Sequence, residues 1–262
     1  MAAGIRGATG LISLVLIAGS LVLLLFVVLS GVKHTTPLKQ TYFLQADTSS
    51  ITGARAISQW TYFYVCGEGN TDCGKPVPDL PIGYAWVSSN DGVPASLVGS
   101  HGKGTTSRYY YYMWRFGWVF YLLALTFDAF AFLTAMASPF SRLAAGFAGL
   151  MVAIALFWMS LAAALMTVTF VKLRNVFQAN DMSASLGKYA FGFTWGAWAA
   201  MFLATLMLFF GCCMGGRNKD HVRDAKTTNG NTGFYRRQRR ASATRHSFVD
   251  GESQRRVKDE YA

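Results

Sequence analysis

Four long apolar stretches interrupt a chain that is otherwise polar and aromatic: residues 11–31 (LISLVLIAGSLVLLLFVVLSG), 116–137, 143–171 and 189–213. A helix of roughly 20 apolar residues crosses a hydrocarbon core about 30 Å thick, and each stretch is long enough. Unpaired backbone is too costly in lipid for anything but a helix or a closed barrel, and these runs lack the alternation of barrel strands. The pattern predicts an all-α membrane protein with a four-transmembrane-helix bundle. The polar remainder then divides into an N-terminus (1–10), a large first loop (32–115), a short turn (138–142), a second loop (172–188) and a tail (214–262). Arg6 ahead of the first stretch has the look of a signal-peptide n-region. The apolar run is longer than the usual 7–15 residues, however, and no A-x-A-like cleavage site follows in VKHTTP, so the stretch reads as a retained span.

Composition agrees: 52% of the 262 residues are hydrophobic and only 14% charged, where soluble domains carry about a quarter. The net charge of +11 is unevenly placed, since residues 215–262 hold twelve Lys/Arg against six Asp/Glu, a surplus of 12 − 6 = +6. With Arg142 in the short turn, this tail predicts that both termini face the cytosol and both loops face out. Lys172, Arg174 and Lys188 run against that rule. The tail is too poor in apolar residues to offset its ordering entropy and reads as disordered when free. Its basic run Arg236, Arg237, Arg239 and Arg240 is expected to hold anionic inner-leaflet lipid rather than nucleic acid.

The first loop carries Trp60-Thr-Tyr62-Phe-Tyr64-Val-Cys66, then GEGNTD, then Cys73. Outside the cell two thiols so close in sequence oxidise, so Cys66 and Cys73 are expected to form a disulfide contributing about 2–3 kcal/mol. Residues 59–65 alternate and are aromatic or β-branched, which predicts one strand. Gly67, Gly69 and Asn70 suit a tight turn into a second strand. The run RYYYYMWRFGW at 108–118 reads as an aromatic belt at the outer interface, ahead of the second span.

A tryptophan shortly before a cysteine pair, in the first outer loop of a four-span chain, resembles the claudin-like superfamily. Within it, the Trp60-Thr-Tyr62 start, the aromatic run into Cys66, the large first loop, the short second loop and the basic tail resemble the fungal Sur-seven/PalI family over residues 1–213. No Gly-Leu-Trp triplet precedes the cysteines, so paracellular sealing is not carried over. The resemblance implies a small stapled, β-containing extracellular domain and a structural role in the eisosome, a furrow-like plasma-membrane domain. It also implies effects on endocytosis and on wall and sphingolipid homeostasis, with other eisosome proteins and the cell wall as partners. Two rival readings are an accessory of ambient-pH signalling of the PalI kind and a claudin-like calcium-influx or channel subunit.

Further candidates follow from position. Cys212 and Cys213, where the fourth span meets the cytosol, are candidate S-acylation acceptors, and two acyl chains favour lipid ordered by sphingolipid or sterol. Gly192, Gly196 and Ala200 fall on one helix face and suit close packing, within the bundle by default and against a second copy otherwise. Asp128 is the acid deep in a span. With no basic residue at depth, it is expected to be neutral and to meet Ser160, Thr167 or Thr169. Ser242 follows arginines at positions −5, −3 and −2, a basophilic kinase pattern. Phosphate there would weaken attraction to anionic lipid. His34, His101, His221 and His246 are scattered without ligand spacing, and no nucleophile motif, P-loop or paired carboxylate occurs. The sequence therefore predicts no enzyme, no catalytic or metal residues and no cofactor.

Overall fold

The computed structural model describes residues 2–33, 35–138 and 141–213. Four helices carry the fold: α1 (Ala2–Val28), α2 (Arg108–Ala135), α3 (Arg142–Gln178) and α4 (Lys188–Cys213). Among the described residues, these are the four helices long and apolar enough to cross a membrane. Four short strands lie outside them: β1 (Leu44–Asp47), β2 (Ile57–Trp60), β3 (Val65–Cys66) and β4 (Ala184–Leu186).

The bundle is written in a 4-3 spacing. On α2 the buried positions are Tyr110, Trp114, Gly117, Tyr121, Ala124, Asp128, Ala131 and Ala135. Alpha-helix α4 repeats the spacing with Ala190, Thr194, Ala197, Met201, Ala204 and Leu208, and α1 with Ser13, Ile17, Ser20, Leu24 and Val27. Such a 3.5-residue period keeps one seam facing its neighbours along a left-handed bundle. Small residues recur along it because lipid offers no hydrophobic drive for helices to associate, so close backbone approach supplies the attraction. At Gly117 an added Cβ would sit 3.3 Å from the Met166 sulfur, the kind of contact this packing needs. The opposite faces expose Leu11, Val15, Phe130, Leu133, Phe157 and Phe209, which is where acyl chains belong.

Two helices outgrow the lipid. With 37 residues, α3 is about 55 Å long at 1.5 Å per residue, well beyond a core of about 30 Å. The helix continues past the span read at 143–171 to Gln178, and α2 begins at Arg108, ahead of the span read at 116–137. The added turns bury Leu173 and Phe177, and Phe177 packs on Trp60 and Trp86 of the sheet domain. Ser141 starts α3, its Oγ accepting from the Ala144 N–H at 3.4 Å, as an N-cap should.

The strands form one antiparallel sheet in the order β3-β2-β1-β4. Beta-strand β1 sits in the middle, Leu44 opposite both Trp60 and Leu186. The second loop therefore supplies an edge strand to the sheet of the first. Gly187 makes the junction: its N–H donates to the Phe43 carbonyl, and a Cβ there would lie 1.6 Å from the Tyr42 oxygen. Residues 59–65 are not one strand. Trp60 pairs with Val65 and Gln59 with Cys66 across a tight turn, closed by the Thr61 N–H on the Tyr64 carbonyl at 2.9 Å. The second strand expected directly after the Gly67 turn is not formed. A 3-10 turn, Glu68–Asn70, occupies the stapled loop.

Candidate functional site

The disulfide joins Cys66 to Cys73 and closes a loop that grips the sheet on several sides. Arg55 reaches across from just before β2, donating to the Asp72 carboxylate at 3.0 Å, the Asp72 carbonyl at 2.6 Å and the Val65 carbonyl at 3.1 Å. Asn70 lies buried beneath the loop, and its side-chain amide donates to the carbonyls of Leu38 and Thr41.

The three aromatic residues of the sequence motif do different things. Trp60 is buried, its indole N–H donating to the Ile82 carbonyl at 3.0 Å and its ring packed on Trp86 and Phe177. Tyr62 is fully buried and bolts the hairpin to two helices. Its hydroxyl donates to the Trp118 carbonyl at 2.7 Å, the Trp118 indole donates back to the Tyr62 carbonyl, and its own N–H reaches Ser30 Oγ at the end of α1. Burial pushes the phenol well above its ordinary pKa, so it stays a donor at any physiological pH. Tyr64 is half-buried and lies over Gly31. Gly31 holds φ +85°, and a Cβ there would come within 2.9 Å of the Tyr64 ring and 3.0 Å of Thr61 Oγ1, so only glycine lets the chain turn out of α1 against the hairpin.

Below this lies a stack that joins the outer domain to the spans. Phe43 and Phe170 are parallel at 5.0 Å, and Trp114 meets Phe170 edge-on at 5.1 Å. Part of the run 108–118, read as an interfacial belt, is core. Tyr109, Tyr112 and Phe116 are exposed, whereas Tyr110 and Trp114 face inward as core. At the rim Arg115 pairs with Asp79 and lies 4.8 Å over the Tyr111 ring. Desolvation raises the Asp79 carboxyl above its ordinary pKa, and the Arg115 contact only partly opposes that.

Asp128 has a different partner from those expected. Its Oδ2 lies 2.8 Å from Ser20 Oγ on α1, and Oδ1 has no partner among the described residues. Ser20 Oγ is also 2.8 Å from the Ile17 carbonyl. One hydroxyl proton serves only one of these at a time, and a carboxyl carrying its own proton completes both contacts. Ser160, Thr167 and Thr169 instead donate to carbonyls four residues back on α3, and Ser160 accepts from the Trp198 indole. An acid found by its depth thus has its partner on a helix 108 residues away in sequence, for which the local pattern holds no signal.

The small-residue stripe lies beside the buried seam of α4. Gly192 is exposed, with open space where a Cβ would be, while a Cβ added at Gly196 would lie 3.3 Å from Leu23 on α1. Ala200 is half-buried. Cys212 and Cys213 end α4. Arg236, Arg237, Arg239, Arg240 and Ser242 lie outside the described residues. Among the described residues no group of three or more His, Cys, Asp or Glu side chains is placed to hold a metal ion.

Comparison with known proteins agrees with this architecture. The chain matches the SUR7/PalI family over residues 9–207. It is 30% identical to Protein SUR7 of Candida albicans over 219 residues, covering 83% of this chain and 79% of that one. It is 30% identical to the SUR7 family protein FMP45 of Saccharomyces cerevisiae over 202 residues, 71% of this chain and 63% of the relative. A plasma membrane protein of Saccharomyces cerevisiae is 28% identical over 190 residues, 70% of this chain and 62% of its own length. The two yeast relatives thus extend well beyond the matched part, and the stapled hairpin and the sheet fall inside the family match at 9–207. A four-span bundle capped by a disulfide-stapled sheet, matched across three-quarters of its length, makes this chain a member of the SUR7/PalI family.

Proposed function

We propose that the protein is a structural, organising component of a fungal plasma-membrane domain of the eisosome type, acting on endocytosis, wall and sphingolipid homeostasis through lateral packing rather than catalysis. Both termini face the cytosol and the stapled sheet faces the cell wall. The observation that carries this reading is the build of the molecule. A rigid outer domain is bolted to the bundle through Tyr62 and the Phe43–Phe170 stack, and the helices present continuous apolar faces to their surroundings. Membership of a family with a plasma-membrane relative supports the location.

The basic tail holds anionic inner-leaflet lipid, each well-placed Lys or Arg adding about 1 kcal/mol. Acylation of Cys212 and Cys213 steers the chain to ordered, sphingolipid- or sterol-rich lipid. The exposed strip beginning at Gly192 offers a surface for a second copy or another resident of the domain. Photobleaching of a C-terminal fluorescent fusion tests the reading. Furrow-like patches that hardly recover over minutes are expected. An even signal that recovers quickly overturns it and leaves the pH-signalling accessory as the better reading of the family membership.

A further inference from the structure

One face of the sheet packs on α3, and the other carries Gln59, Gln45, Asp47 and Ile57, with Ser185 opposite Gln45 on β4. The stapled loop folds over this second face at Gln59 and leaves the rest open. There a cavity of about 190 Å³ is lined by Gln45, Asp47, Ile57, Ser183, Ala184 and Ser185. It is smaller than the roughly 300 Å³ at which small-molecule pockets usually begin, which suits a single ring rather than a cofactor.

Its polar groups are preset by their neighbours. The Asn70 backbone N–H can only donate, and it donates to Gln59 Oε1 at 2.8 Å. The Gln59 amide must then point its Nε2 at Gln45, whose Oε1 accepts at 2.7 Å. The Gln45 NH2 is thereby turned towards the groove as a fixed donor. Two residues along the same strand, Asp47 Oδ1 accepts from both the N–H and the hydroxyl of Ser49, leaving Oδ2 as a fixed acceptor. These two bonds also hold the Asp47 carboxyl below its ordinary pKa, which favours the ionised form. Ser183 and Ser185 are exposed and add hydroxyls that rotate to either role.

We propose that this groove, at the sheet face of Gln45, Asp47 and Ser185, is a binding site for a neutral sugar chain. A fixed donor and a fixed acceptor about two residues apart, flanked by free hydroxyls, match vicinal hydroxyl groups, and Ile57 supplies an apolar wall for a ring face. No Lys or Arg lines the cavity and one carboxylate does, which selects against uronic or phosphorylated sugars. Addition of a peptide strand fits less well, because the Ala184 carbonyl at the sheet edge already accepts from Gln178. One ring per copy binds weakly, but many copies fixed in one membrane domain would hold a polymer by avidity. The site would meet such a polymer only in the orientation proposed above, and to that extent rests on that reading.

The test uses the full chain in detergent or nanodiscs, with laminarihexaose, chitohexaose and mannohexaose as probes and a galacturonic acid oligomer as the anionic control, read by saturation-transfer NMR. At least one neutral hexamer is expected to bind with a Kd of about 1 mM or tighter, and the control not to bind. Ser185→Trp, on an exposed position, fills the groove and abolishes binding. Gln59→Glu keeps the Asn70 contact but makes Gln45 donate inward, so its oxygen faces the groove and binding falls about tenfold. Failure of all three hexamers to bind overturns the inference, as does binding that survives Ser185→Trp. Labelling Ser185→Cys on intact cells with an impermeant maleimide separates the two readings. Binding in vitro without labelling leaves the sugar site standing and sinks the outward orientation, whereas labelling without binding does the reverse.

Discussion

The sheet domain and the bundle both bury apolar cores but lean on different side chains for them. At the sheet the core is Phe43, Trp60, Tyr62, Trp86 and Phe177, large rings with edge and stacked contacts. In the spans small residues recur, with Ala124, Ala131, Ala148, Ala155, Ala162 and Ala197 and with Ser13 and Ser20, between larger ones such as Tyr121 and Met159. Water makes the difference. Outside the lipid each buried ring is removed from water and carries a large hydrophobic gain. Inside it there is no water to leave, and attraction comes from helices close enough for dispersion contacts along their whole length. The same chain therefore follows two packing rules, and the boundary between them lies where α2 passes from Trp114 to Ala124.

The largest test of that contrast is to shrink one ring. Trp60→Ala is expected to destabilise the outer domain by about 3–5 kcal/mol while the helices stay inserted. Loss of the near-ultraviolet circular dichroism of the aromatic core with retained far-ultraviolet helix signal reads both at once. Opening the staple with Cys66→Ser and Cys73→Ser together should cost less, about 2–3 kcal/mol, seen as a lower thermal midpoint of the same aromatic signal. In the bundle a single polar contact is worth less again. Ser20→Ala is expected to cost about 0.6 kcal/mol and at most about 1.7, measured by steric trapping or unfolding in mixed micelles. A loss comparable with that of Trp60→Ala would mean that Asp128 depends on Ser20 far more than hydroxyl partners in lipid usually allow.

The smallest expected effect concerns pH at the rim. The Asp79 carboxyl is raised in the folded state, so its contribution is fully present below the unfolded carboxylate pKa of about 4 and is lost as pH rises through its higher folded value. Asp79→Asn removes that dependence. The midpoint of the variant should therefore fall less between pH 4 and neutrality (roughly, the carboxylate range) than that of the wild type. Parallel curves would show that the Arg115 contact offsets burial completely.

Length and apolarity made the four spans and the cysteine staple readable, since both are local properties of the chain. The ends of the helices were not, because Phe170, Leu173 and Phe177 continue α3 on the strength of what they pack against rather than of lipid depth. The turn between Trp60 and Val65 hid inside a run of good strand formers, where Thr61 rather than a Gly or Asn closes it. A three-residue strand in a seventeen-residue loop (172–188) leaves almost no periodicity to read. The seam of the bundle was not read either, because Ala or Ser recurs along it only about every seven residues, while the nearby Gly192–Gly196–Ala200 repeat draws the eye to a face where Gly192 is left open.

The pairing of β1 with β4 also bears on how the molecule is made. When β1 leaves the ribosome it finds β2 within a few residues, but its other neighbour lies beyond α2 and α3 and is not yet synthesised. The sheet is therefore completed only after the third span has been threaded and the second loop delivered to the same side as the first. A chain whose third span fails to insert leaves the edge of β1 bare. Completion of the sheet is thus a record that the spans were threaded in the right order, and an unpaired β1 is a feature by which a quality-control chaperone could tell a misthreaded chain from a finished one.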